Sequence, residues 1–129
     1  TAESLPNIKP PLYLDATETG WAQNLPQFDF ILLVNLLHLI SWNETETLFN
    51  ELPKILKKNG SAFVYGPFMR SGKLTSAGDQ NFHSSLIQTD SDIGYKDDLD
   101  MLELFANSGL LHLETVEMPA NNLAFVLKK

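Results

Sequence analysis

The run FDFILLVNLLHLISW, residues 28 to 42, is apolar almost throughout and lacks the alternation of a half-buried strand. Unbroken hydrophobic character over a short stretch reads as a strand covered on both faces, the kind that lies centrally in a parallel sheet. It therefore predicts companions on either side and helices above and below. Asn35 and His38 interrupt the run, which falls short of the roughly 18–20 apolar residues that span a bilayer.

The rest of the chain supplies those companions. In PLYLDA, residues 11 to 16, a strand is expected to follow Pro10 and Pro11, which lack donors and mark a strand's beginning. Leu48, Phe49, Leu52, Ile55 and Leu56 recur at helical spacing, with Glu44 and Glu46 near the start and Lys54, Lys57 and Lys58 near the end. Pro53 opposes a continuous helix, so a kink or two short helices is expected, closed by a left-handed cap at Asn59-Gly60. SAFVYGPF reads as a second buried strand. Residues 69–96 are polar and rich in Gly, Ser and Asp, a long irregular segment of the kind that forms a lid or stays disordered. A second amphipathic helix carries Leu99, Leu102, Leu104, Phe105 and Ala106 and stops at Gly109. LHLETVEMP and NNLAFVLKK read as an antiparallel pair of strands. The order predicts an α/β domain with a mostly parallel sheet.

Composition narrows the partners. The 129 residues make one domain at most. A net charge of -7 and nine scattered basic residues give no concentrated footprint for nucleic acid or for an anionic membrane surface. The chain has no cysteine, and its three histidines, His38, His83 and His112, lack ligand spacing, so no metal site is expected. Neither a G-x-S-x-G elbow nor a Walker phosphate loop occurs. The expected compartment is the cytoplasm.

LPKILKKNGSAFVYGPF resembles the helix, turn and fifth strand of class I S-adenosylmethionine-dependent methyltransferases, although Lys58 or Asn59 stands where that family's turn has proline. DDLDMLELFANSGLLHLETVEMPANNLAFVLKK is similar to the family's closing half: a helix, a sixth strand, then a seventh inserted antiparallel between fifth and sixth. LPNIKPPLYLDAT, NLLHLISW, VYGPF, NFHSSL and MPANNL, in this order, resemble segments of one methyltransferase-like family with this fold. The resemblance implies a Rossmann-like domain, incomplete here, with strands three to seven of a seven-stranded sheet ordered 3-2-1-4-5-7-6. Residues 1–129 would be a single partial domain, the C-terminal half to two-thirds of an enzyme, with 69–96 as its lid. No G-x-G-x-G-like turn occurs in the chain. Residues 28 to 36 would then expose an apolar edge, which predicts a homodimer joined through it or a first strand supplied from elsewhere.

The same resemblance assigns residues. Asn35 and the backbone of Leu36 lie where strand four meets the cofactor's methionine moiety, and Asp15 where the adenine amino group is bound. His38 would face the transferable methyl as a base or orienting group, with Tyr65 as a second catalytic residue. Each has a plainer reading: a strand-end turn for Asn35, a satisfied core histidine for His38, a solvated turn for Asp15. Trp42, Pro67, Phe68, Asn121 and Asn122 would wall the acceptor site. Arg70, the sole arginine, could clamp an acceptor carboxylate or phosphate or else sit on the surface. Asn81, Phe82, His83 and Tyr95 belong to the expected lid. The implied cofactor is S-adenosylmethionine, the implied acceptor a small molecule, and the chain alone is expected to be inactive. A non-catalytic dimerisation or partner-binding module is the rival, and another nucleotide-binding α/β enzyme a third reading.

Overall fold

The computed structural model describes residues 4–129. Four strands form one sheet: β1 (Phe28–Val34), β2 (Leu56–Pro67), β3 (Leu111–Met118) and β4 (Asn122–Lys128), in the order β1-β2-β4-β3. β1 and β2 are parallel, and β4 runs antiparallel to both β2 and β3. β3 therefore points the same way as β1 and β2, with the last strand inserted between, as expected.

α1 (Trp42–Glu51) begins at a reciprocal cap. The Ser41 hydroxyl accepts from the Glu44 N–H at 3.1 Å, and the Glu44 carboxylate accepts from the Ser41 N–H at 2.9 Å. Pro53 falls outside this helix, near the start of a short 3-10 turn, Leu52–Ile55, where its missing donor has no helical partner to lose. Asn59-Gly60 is not a helix cap. The chain is already extended at Leu56, and Phe28 pairs with Leu56 while Phe30 pairs with Ser61, so Asn59 (φ 66°) and Gly60 lie in a bulge within β2. A Cβ on Gly60 would stand 2.8 Å from the Lys57 carbonyl oxygen and 3.1 Å from that of Asp29. The bulge needs glycine for this close approach.

α3 (Asp98–Asn107) is capped by the Asp97 carboxylate, which accepts from the Leu99 N–H. Met101, Leu104 and Phe105 are its buried residues, whereas Leu99 is 54% exposed and Ala106 lies on the solvent side. The true stripe is one position off the expected one at its N-terminal end. Phe49 of α1, Phe105 of α3 and Phe125 of β4 stack edge to face, and Phe68 joins Phe125 at 4.9 Å. Burying each ring stabilises the fold by about 1.5–3 kcal/mol before ordering costs.

Further expectations fail. Residues 69–96 are not a continuous loop, because α2 (Ala77–Thr89) occupies their centre. The Ser76 hydroxyl accepts from the Asp79 N–H at 3.1 Å, and no proline follows until after the helix ends. PLYLDA forms no strand: Leu12 is 77% and Tyr13 97% exposed, since no described strand offers it a ladder. Leu12, Tyr13 and Leu14 instead line an apolar hollow of about 370 Å³ with Leu25, Phe28 and Phe30.

β1 is an edge strand with β2 as its one sheet neighbour among the described residues. Ile31 and Leu33 pack on the core, while Phe30, Leu32 and Val34 stay exposed. The expected two-sided burial is therefore not met here, because α1 and α3 cover one face alone. No helix among the described residues is long and apolar enough to cross a membrane.

Candidate functional site

Beyond the carboxyl ends of β1 and β2 lies a cleft of about 450 Å³, lined by Asn35, His38, Leu39, Pro67, Asp79, Phe82, Tyr95, Ala120 and Asn122. The chain turns sharply at Asn35 directly after β1, in left-handed geometry (φ 54°) that asparagine tolerates well, and its N–H donates to the Tyr65 carbonyl at 2.9 Å. Gly66 packs beside this corner, where an added Cβ would make ordinary contact with Asn35 Oδ1 at 3.6 Å. Ala120 and Asn121, at φ 60° and 61°, shape the β3–β4 turn on the opposite wall. Asn122 Nδ2 donates to the Tyr65 hydroxyl at 3.1 Å, joining the ends of β4 and β2.

α2 roofs the cleft, held by one carboxylate. Asp79 accepts from the Tyr95 hydroxyl at 2.7 Å, from the Thr75 and Ser76 hydroxyls at 2.9 Å each, and from Asn121 Nδ2 at 3.3 Å. Burial pushes its carboxyl up, but the four donors outweigh burial and hold it below the usual range. Tyr95, desolvated and bound to that anion, is raised well above an ordinary phenol.

His38 is 7% exposed and meets the rings of Phe82 at 5.5 Å and Tyr95 at 6.3 Å. Burial first, and the nearby Lys96 ammonium second, lower its pKa, so the imidazole is neutral at pH 7. Lys96 is itself buried. Its Nζ donates to the carbonyls of Ile40 and Gly94, and desolvation brings its pKa down to about 8 against a smaller opposing pull from Glu44. The Gly94 N–H donates to the His38 carbonyl at 3.0 Å, so this connector clasps the His38 turn from two points.

The chain from Thr1 to Lys129 matches the family model described as Protein of unknown function (DUF938) over residues 1–129. The chain belongs to that family. Its fold is shared with solved methyltransferases. An O-methyltransferase family protein from Burkholderia thailandensis is 12% identical at a TM-score of 0.82, covering 99% of this chain and 38% of that one. Human N-acetylserotonin methyltransferase, in complex with S-adenosylmethionine, is 17% identical at 0.72, covering 89% and 32%. An O-methyltransferase family 2 protein from Planctomyces limnophilus, in complex with apigenin, is 16% identical at 0.72, covering 81% and 32%. The DUF938 chain thus spans about a third of the length of these structures and matches the C-terminal part of their fold.

Asn35, His38, Pro67 and Asn122 line the cleft together, and Tyr65 lies behind Asn122. Six other assignments are corrected, none of these residues lining the cleft. Arg70 is occupied: Nη1 donates to the carbonyls of Phe68 at 3.0 Å and Asn121 at 2.9 Å, and Nη2 to Glu117 Oε2 at 2.8 Å. It fastens β2 to the β3–β4 turn and does not line the cleft. Phe68, 2% exposed, is core. Trp42 opens α1 and lines a separate hollow with Met69, Lys96 and Asp100. Asp15 accepts from the backbone and hydroxyl of Thr17, which hold its carboxyl below its ordinary value in a turn away from the cleft. Leu36 packs on the core at the start of the 3-10 turn Leu37–Leu39, and Asn121 reaches Asp79 rather than the cleft.

Of the expected lid residues, Phe82 and Tyr95 line the cleft. Asn81 is exposed on α2, and His83 accepts from the Tyr95 N–H at Nδ1, 3.0 Å, outside the lining. Asp79 escaped sequence reading, although the Ser76…Asp79 spacing is the pattern of a helix cap and marks where α2 starts. Among the described residues no cluster of three or more His, Asp or Glu could hold a metal ion.

Proposed function

We propose that the protein containing this chain transfers the methyl group of S-adenosylmethionine to a small-molecule acceptor, and that this chain forms the acceptor side of the site. One observation carries the reading: the cleft lies outside the carboxyl ends of β1 and β2, where open α/β sheets bind their ligands, in a fold whose solved neighbours are O-methyltransferases. When bound, S-adenosylmethionine supplies an already activated methyl on a sulfonium centre.

The residues present fit one wall of such a site. Asn35 presents its amide at the tip of β1, and that amide makes no hydrogen bond to the described residues. Leu36 offers backbone beside it. No glycine-rich turn in this chain provides the opposite wall. His38, neutral and buried, is suited to take a proton from an acceptor hydroxyl at a ring nitrogen. Phe82 and Tyr95 supply apolar wall beside it. Positioning is the main task, since the methyl arrives activated.

Calorimetric titration with S-adenosylmethionine tests this reading in the protein that contains the chain. Micromolar binding is expected; no heat at millimolar ligand overturns it.

The edge of β1, unpaired among the described residues, favours a second reading, a non-catalytic module that pairs edge to edge with a second copy through residues 28–36. Sedimentation velocity decides between a dimer broken by Leu32→Lys and a species that this substitution leaves unchanged. The dimer reading stands on the first result and falls on the second.

A further inference from the structure

The chemistry of the cleft limits what can enter it. Three rings of its lining meet: His38 and Phe82 at 5.5 Å, Phe82 and Tyr95 at 6.0 Å, His38 and Tyr95 at 6.3 Å. All are mutually edge to face, an arrangement that offers ring faces and edges to a flat guest. No Lys or Arg lines the cleft. Its one formal charge is the Asp79 carboxylate, already saturated by four donors.

Two cations on segments that adjoin the cleft residues are committed elsewhere. Arg70 is bound to two carbonyls and Glu117, and Lys96 to the carbonyls of Ile40 and Gly94. An incoming carboxylate or phosphate would surrender its hydration to a site with an anion and no free cation. The groups left to recognise a guest are uncharged: the Asn35 amide and the His38 imidazole.

We infer that this cleft receives an uncharged, planar ring compound bearing a hydroxyl or ring N–H, and rejects carboxylates and phosphates of the same shape. The inference rests on the methyl-transfer reading in naming that compound the acceptor, and it replaces the expectation that Arg70 clamps an anionic one.

Matched probes test it. Equilibrium dialysis at pH 7 compares 2-naphthol with 2-naphthoate and 2-naphthyl phosphate on the protein that contains this chain. Binding of 2-naphthol about tenfold or more tighter than either anion is expected. Phe82 is 42% exposed, so Phe82→Leu should fold, and losing the ring should weaken 2-naphthol about threefold or more. Equal or tighter binding of an anion overturns the inference, as does unchanged affinity in Phe82→Leu or failure of all three probes to bind. Titration with S-adenosylmethionine in the same samples keeps the two readings apart. Cofactor binding without 2-naphthol preference refutes the acceptor class alone. The preference without cofactor binding refutes methyl transfer and leaves the class of guest standing.

Discussion

Tyr95 donates its phenolic hydrogen to Asp79 at 2.7 Å, tying the connector before α3 to the first turn of α2 and so closing the roof of the cleft. The bond is buried and one partner is charged, which places its loss among the expensive ones. Tyr95→Phe should destabilise the protein by about 1.5–3 kcal/mol in urea unfolding. The Asp79 carboxyl lies below its unfolded value, so its contribution is full at neutral pH and is lost as pH falls below about 4. Asp79→Asn should flatten that acid limb. An unaltered limb would mean that Asp79 does not anchor the roof.

Lys96 gives the opposite flank of the pH profile a distinct shape. Its pKa is about 8 when folded and 10.5 ordinarily. Between these values the unfolded chain holds the proton and the folded chain has released it, so stability rises with pH across the window. Lys96→Met should abolish that rise, as read from midpoints at pH 7.5 to 10.5. It should also lower stability overall, because the Ile40 and Gly94 carbonyls lose their donor.

Arg70 is predicted to be structural. Arg70→Ala removes three hydrogen bonds that knit β2 to the β3–β4 turn, and should cost about 1–3 kcal/mol. Glu117→Ala breaks just the exposed ion pair and should cost under about 1 kcal/mol. Equal losses in the two variants would assign the whole effect to the ion pair.

Asn35 needs a paired design. Its φ of 54° penalises alanine by about 1 kcal/mol whatever the side chain binds, while glycine adopts it freely. Asn35→Gly should therefore weaken S-adenosylmethionine binding with little change in Tm, and Asn35→Ala should lower both. Full affinity in Asn35→Gly would make the side chain a turn-former alone.

Two glycines should respond in opposite directions. Gly60→Ala forces a methyl to within 2.8 Å of a backbone oxygen and should destabilise by about 1–3 kcal/mol. Gly78, in the first turn of α2, has nothing nearer than 3.7 Å to a new Cβ, and Gly78→Ala should stabilise by about 0.5–1 kcal/mol. Thermal unfolding of both variants checks the pair.

What could be read from the sequence was local. The break at Pro53, the stop at Gly109 and the hairpin of the last two strands involve residues a few positions apart, whose geometry is set whatever the remainder does. PLYLDA misled because a strand exists only with a partner, and composition does not say whether one is present. Leu99 misled because helical spacing leaves the stripe free to rotate by one residue until the sheet is there to receive it.

The amino-acid order by itself marked the helices α1 and α3, the strands β1 and β2, the closing strand pair and the turn at Asn35, each of which depends on residues close together in the chain. Tertiary structure alone decided which polar groups meet: Tyr65 with Asn122 across 57 positions, Arg70 with Asn121 across 51, and Asn121 with Asp79 across 42. Such contacts depend on the closure of long loops and on competition among many donors and acceptors. Arg70, free on paper to bind a substrate, is in the fold claimed by two carbonyls and a carboxylate.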